Sequence, residues 1–214
     1  DEPLSSLDEA RKGEILPYLE KMRDESEIPI LYVSHSAAEV ARLANHVVML
    51  EAGRIVRQAA ADAFFADADA APLLGIREAG AVLEARIASH HADGLSELSI
   101  SGGTLMLPFI DRPTGSTVRV RIPAQDILLA LKRPEAISAL NILETKIIAI
   151  REDDSAGALV TLECGRDRLL ARVTRRSAQA LGLEPGGACY AIVKTVAVAQ
   201  GNLRAGTPAQ PEYT

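Results

Sequence analysis

The sequence predicts two architectures in succession: an α/β segment with a parallel sheet, then an all-β, OB-like barrel built from two repeats. Three observations carry this. Residues 1–58 alternate helix-like and strand-like stretches, the rhythm of a parallel sheet crossed by helices. After Gly80 the texture changes to short β-rich runs between turns, the spacing of a small barrel. The second set of those runs also repeats the first.

The elements follow in order. Ser6-Leu7-Asp8-Glu9 has the form of a capping box, with Asp8 as a competing N-cap. A helix runs from there to about Ser26, with Ile15, Leu19 and Met22 on one face and Pro17 expected to kink or restart it. Ile28 to Val33 is apolar and β-branched, which predicts a buried strand. Ala37 to Leu43 reads as helix, Val47 to Leu50 as another buried strand, Glu51-Ala52-Gly53 as a turn and Arg54 to Val56 as a returning strand. Residues 59–71, rich in Ala and Asp, predict one helix. The α/β segment is thus expected over 1–75 and a linker over 76–81.

The first barrel half, 82–134, has runs at Val82–Ala88, Leu95–Ser101, Thr104–Phe109, Thr117–Ile122 and Ile127–Leu131. The second, 135–200, has runs at Ile142–Ile150, Ala158–Cys164, Leu169–Val173, Ala188–Val193 and Ala197–Ala199. Val82 to Ile87 aligns with Ile142 to Ile147, and Gly115 to Val120 with Gly186 to Ala191. Thr174 to Leu183 is an extra helical segment in the second copy. Residues 201–214, with Gly, Pro and Gln, predict a disordered tail.

Composition narrows the function. The chain has 214 residues, enough for one or two domains with a real core. It is 48% apolar and 24% charged, a globular balance. A net charge of -6 argues against a nucleic-acid partner, because phosphate binding needs a cationic face. No apolar run approaches the roughly 18 residues of a membrane span. Cys164 and Cys189 form no metal-ligand spacing and suit a reducing compartment. His90-His91 with Asp93 lacks a third spaced metal ligand. The opening Asp1-Glu2-Pro3, with no Met and no strand before it, is expected of a piece of a longer chain.

Two acids, Asp1 and Glu2, and a histidine, His35, stand at predicted strand ends, where α/β sheets place ligands. In phosphoryl transfer one such acid can hold Mg²⁺ and the other can orient the attacking water. An imidazole can hydrogen-bond a γ-phosphate.

Together these residues resemble a known family. Asp1 to Asp8 is similar to the end of the Walker B motif and the D-loop of ABC-transporter ATPases. Ile30-Leu31-Tyr32-Val33-Ser34-His35 resembles their switch-histidine strand. Glu51 to Ile55 resembles the β turn that follows. The resemblance implies that Asp1 serves Mg²⁺ beside ATP, Glu2 is the catalytic carboxylate, His35 contacts the γ-phosphate, and Ser5, Ser6 and Asp8 face the nucleotide and the dimer partner. No G-x-x-x-x-G-K-[ST] phosphate loop occurs in the chain, so these residues alone are expected to show no ATPase activity. Ser101-Gly102-Gly103 imitates part of the family's signature motif but lies between β runs, where it reads as a hairpin turn.

In the second half, Ser138 to Leu143, Thr174 to Gly187 and Ala191 to Thr195 resemble a Mop (molbindin, TOBE-type) domain. With residues 82–133 they look like the C-terminal region of the molybdate-importer ATPases, the ModC family. That implies a homodimer at the cytoplasmic face of the bacterial inner membrane. An integral membrane permease would be its partner, and a periplasmic molybdate-binding protein an indirect one. It also implies a molybdate or tungstate site from Ser138, Asn141, Lys194 and Thr195. Leu140 removes a donor from that site. Ile122-Pro123-Ala124 stands where the second copy has Val193-Lys194-Thr195, so the first copy is expected to lack a site. Two other readings compete: a non-catalytic oxyanion-binding or dimerisation module, and the ATPase of a sulfate or sugar importer.

Overall fold

Asp8 starts the first helix. Its side chain accepts from Arg11 N at 2.9 Å, and Ser6, the other candidate cap, lies exposed ahead of the helix. The computed structural model describes residues 1–26, 28–75, 78–153, 156–195 and 203–205. Helix α1 (Glu9–Glu25) continues through Pro17. Its inner face is Leu16, Leu19 and Glu20, whereas Ile15 and Met22, expected inside, are exposed. Leu16 packs with Leu4 and with Leu43 of α2 (Ala37–Leu43), which Ser36 caps.

The parallel sheet expected over residues 1–58 is not formed among the described residues. Ile28 to Val33 form no strand, and Leu31 is 90% exposed. A buried parallel strand needs a ladder on each side. Among the described residues this stretch has Glu2 as backbone partner, Glu2 N donating to Val33 O at 2.8 Å. The strands that do form, β1 (His46–Glu51) and β2 (Arg54–Ala60), make an antiparallel hairpin. Ala52 and Gly53 turn it with φ of 49° and 76°, the paired positive values of a two-residue primed turn. No parallel ladder occurs among the described residues.

The single helix expected over 59–71 is divided. Ala59 and Ala60 join β2, paired with Val47 and His46. A short α3 (Ala61–Phe65) buries Phe64 and Phe65, and α4 (Ala71–Leu74) follows. Between them the Asp67 carboxylate accepts from Asp69 N at 2.8 Å, an Asx turn that competes with helix.

The β runs form where the alternation puts them. They are β3 (Gly80–His90), β4 (Leu95–Ile100), β5 (Gly103–Pro108), β6 (Thr117–Pro123), β7 (Ile127–Ala130), β8 (Asn141–Glu152), β9 (Gly157–Cys164), β10 (Asp167–Thr174) and β11 (Ala188–Val193). Helix α5 (Arg175–Ala180) is the expected insert, capped by Thr174. Gly80 and Ala81, expected in the linker, already belong to β3. Ala197 to Ala199 lie outside the described residues. In the expected disordered tail, Leu203–Ala205 instead form a short strand, β12, along β6; the rest of the tail lies outside the described residues.

These strands make two five-stranded antiparallel sheets, β12-β6-β3-β4-β5 and β10-β9-β8-β11-β7, rather than one closed hydrogen-bonded barrel. Their order is the same strand for strand: β6-β3-β4-β5 corresponds to β11-β8-β9-β10. Register matches too, with Leu83 opposite Val120 as Leu143 is opposite Ala191. A bulge between Ile87 and Ser89 has its counterpart between Ile147 and Ala149. β7 leaves the first sheet to pair with β11 of the second.

One core lies between the sheets, with Leu83, Ile87, Leu98, Leu105 and Val120 from the first and Leu143, Ile147, Leu162, Leu169 and Val193 from the second. The α/β segment docks through Phe64, Phe65 and Ala61 against Val82 of β3. Arg119 of β6 reaches across, donating to Ala44 O at 2.6 Å just beyond α2.

Candidate functional site

Glu2 and His35 meet. The Glu2 Oε1 to His35 Nδ1 distance is 2.8 Å, between residues 33 positions apart. Glu2 N donates to the carbonyl of Val33, two residues before His35, and the Ser5 hydroxyl donates to Glu2 O at 3.0 Å. Leu4, buried to 3% exposure, pins the loop beneath them. Glu2 has φ of +40°, a left-handed backbone that non-glycine residues take at some cost. Both side chains open to solvent, 44% exposed for Glu2 and 76% for His35, so the contact leaves room for a ligand. Asp1 and Ser6 are exposed beside them. Asp8 is engaged by its helix cap and lies 3.8 Å from Arg11 Nε.

Sequence reasoning missed the carboxylate behind this site. Glu39, on the first turn of α2, is 4% exposed. Its Oε2 accepts from the Tyr32 hydroxyl at 2.9 Å and from Ser34 Oγ at 2.7 Å. Its Oε1 lies 3.0 Å from Lys12 Nζ of α1. Burial alone would raise the Glu39 pKa, but the bonds from Ser34, Lys12 and Tyr32 outweigh it and hold the carboxyl below its ordinary value. The Tyr32 phenol is pushed up, first by burial and then by Glu39. Glu39 stands three residues after the Ser36 cap, the place of a capping-box acid, which signals a helix start but not a buried carboxylate.

The second set of expected residues lies where β8 begins and β11 ends. Asn141 pairs with Val193 across that ladder, so Leu140 and Lys194 are the next residues out. Asn141 is buried and its amide is tied to the other sheet: Oδ1 accepts from Met106 N at 2.6 Å and Nδ2 donates through one N–H to Met106 O at 3.1 Å. It clips β8 to the edge strand β5 of the other sheet. Lys194 and Ser138 are exposed, and Leu140 is 55% exposed. Thr195 is 8% exposed, with its Oγ1 buried and lacking a hydrogen-bond partner among the described residues. A buried hydroxyl without a partner is costly, so it marks a place where a donor is available. At the corresponding place in the first sheet Pro123 ends β6 and the buried Ala124 follows it, so neither side chain offers a donor. Among the described residues no three His, Cys, Asp or Glu side chains group as metal ligands.

Comparison with known proteins defines the class. Residues 137–200, which hold the strands β8 to β11, match the TOBE domain. Over 97% of its length the chain is 46% identical to the molybdenum import ATP-binding protein ModC of Mesorhizobium japonicum, and over 92% it is 47% identical to that of Rhizobium etli. The chain is thus a homologue of proteins named as molybdenum import ATP-binding proteins ModC. It spans about half the length of these relatives, 56% of each. A solved structure of the cytoplasmic molybdate-binding protein ModG with molybdate bound is similar at a TM-score of 0.48 and 24% identity, covering 59% of this chain and 95% of that one.

Proposed function

We propose that this chain is the portion of a molybdate or tungstate importer's ATP-hydrolysing subunit that carries the catalytic carboxylate and the switch histidine, joined to an oxyanion-sensing and dimerisation unit. The observation that carries the reading is the 2.8 Å contact between Glu2 and His35. The relatives named as molybdenum import ATP-binding proteins support it. Glu2 orients the attacking water and takes up its proton as negative charge moves to the leaving phosphate. His35, steered by Glu2, donates a hydrogen bond to the transferred phosphoryl group. Asp1 offers one hard oxygen donor, which suits Mg²⁺, an ion that takes one or two carboxylates alongside phosphate and water. Mg²⁺ supplies neutralisation of the phosphate oxygens when bound. These 214 residues contain no G-x-x-x-x-G-K-[ST] phosphate loop. Ser5, Ser6 and Asp8 face the partner subunit of a homodimer. The subunit docks peripherally on a membrane permease at the cytoplasmic face, with a periplasmic binding protein acting at one remove; no described helix is long and apolar enough to cross a membrane.

The two sheets are copies of one unit, a reading supported by their common order, register and bulge. In the second copy Ser138, Lys194 and Thr195 are the donors for a small dianion. Asn141, tied to Met106 through its Oδ1 and one of its two Nδ2–H groups, is the fourth. Leu140, which removes a donor, favours a second reading in which this unit only joins subunits.

The catalytic reading is tested in the full-length subunit. Glu2→Gln lowers ATP hydrolysis by about 10²-fold or more while ATP is still bound, and His35→Ala also strongly impairs turnover. Near-normal turnover in both variants overturns it.

A further inference from the structure

His35 is mostly exposed, so packing does not aim its ring. The residues on either side do. Ser34 Oγ accepts from Ser36 N at 3.0 Å, bridging over His35, and the same hydroxyl donates to Glu39 Oε2 at 2.7 Å. Glu39 is therefore the fixed point from which the histidine backbone is set. Its other oxygen holds Lys12 of α1, whose N-terminal loop carries Ser5, and Ser5 holds the Glu2 carbonyl. The contacts close a ring from Glu2 through Ser5, α1, Lys12, Glu39 and Ser34 to His35, and from His35 back to Glu2. A buried carboxylate contributes little more to stability than a well-packed apolar residue, but it fixes direction when every lone pair has a donor.

We propose that Glu39 and Ser34 are positioning residues that hold His35 against Glu2 for ATP hydrolysis; the inference rests on the catalytic reading above. In the full-length subunit with its permease, Ser34→Ala and Glu39→Gln each lower kcat about tenfold, the scale of a small misplacement of a reacting group. KM for ATP stays within about twofold, because neither residue touches the nucleotide. Ser34→Thr keeps the hydroxyl and stays within about twofold of the wild-type kcat. The double variant Ser34→Ala/Glu39→Gln falls no further than the lower single, since both act through one contact. Wild-type kcat in Ser34→Ala, a loss confined to KM, or an additive double overturns the proposal. Should Glu39→Gln fail to fold, the Ser34 pair decides alone. His35→Ala separates the levels. If it is active, the catalytic reading fails. If it is inactive while Ser34→Ala and Glu39→Gln run at the wild-type rate, only the positioning role fails.

Discussion

At Cys164, burial and the nearby Asp167 carboxylate push the thiol up to about 11. Burial also raises Cys189, partly offset by its bond to the Thr145 hydroxyl. Thiolate is the reactive form, so both residues are inert to alkylation in the folded chain at pH 8 and react once it unfolds. Mass spectrometry after iodoacetamide, with and without urea, reads this directly; native labelling of Cys164 faster than unfolding contradicts it. At this same scale the site was partly legible. Glu2 and His35 stand in a recognisable run of residues, and the structure brings them together. Glu39 was not legible. Its donors come from Lys12, Tyr32 and Ser34, on a helix and a loop whose meeting no local pattern encodes. Asn141 was legible as a polar residue at a strand start, but not its use as a clip, because Met106 reaches it only once the sheets pack.

Between the hairpins, the turn at Ser101-Gly102 presses on the turn after Cys164. The Ser101 hydroxyl accepts from Arg166 N at 2.7 Å, and Asp167 Oδ2 accepts from Ser101 N at 2.9 Å. A Cβ on Gly102 would strike Cys164 Sγ and stand 2.6 Å from its carbonyl carbon. Gly102→Ala therefore lowers stability by about 1–3 kcal/mol through overpacking. Gly13, inside α1 with nothing within 4 Å of an added Cβ, is the control. Gly13→Ala raises stability by about 0.5–1 kcal/mol through helix propensity. Urea denaturation compares the two, and shifts of equal sign contradict the account. Strands β4, β5 and β8 were legible because their inward residues alternate, and β9 because it is a continuous apolar run ended by a glycine turn. The failures lay where apolar runs answer to something other than local pattern. Ile28 to Val33 has strand composition but pairs with no strand among the described residues. The Ala-rich 59–71 has helix composition, yet Val47 and His46 draw its start into β2 and Asp67 turns its middle.

Across the whole molecule, the two sheets bury one another and share a single core, so a ligand held by either stabilises both. An oxyanion bound through Lys194 and Thr195 raises the melting temperature, by a stabilisation of about 2.7 kcal/mol at a hundredfold excess over Kd. Lys194→Ala abolishes the rise and leaves the fold intact, and Leu140→Arg strengthens it. Melts with molybdate, tungstate and sulfate make the comparison. No response in either the wild type or Leu140→Arg assigns the unit to dimerisation alone. The path of β7 has a further consequence, one of time. Ile127 of β7 pairs with Val193 of β11, and the two lie 66 positions apart, 193 minus 127. At about 5–20 residues per second, a ribosome takes roughly 3–13 s to make the partner that β7 requires. During that interval the nascent chain carries Ile127 and Leu129 on an unpaired strand edge, so the growing protein is most prone to aggregate just before its last long strand emerges.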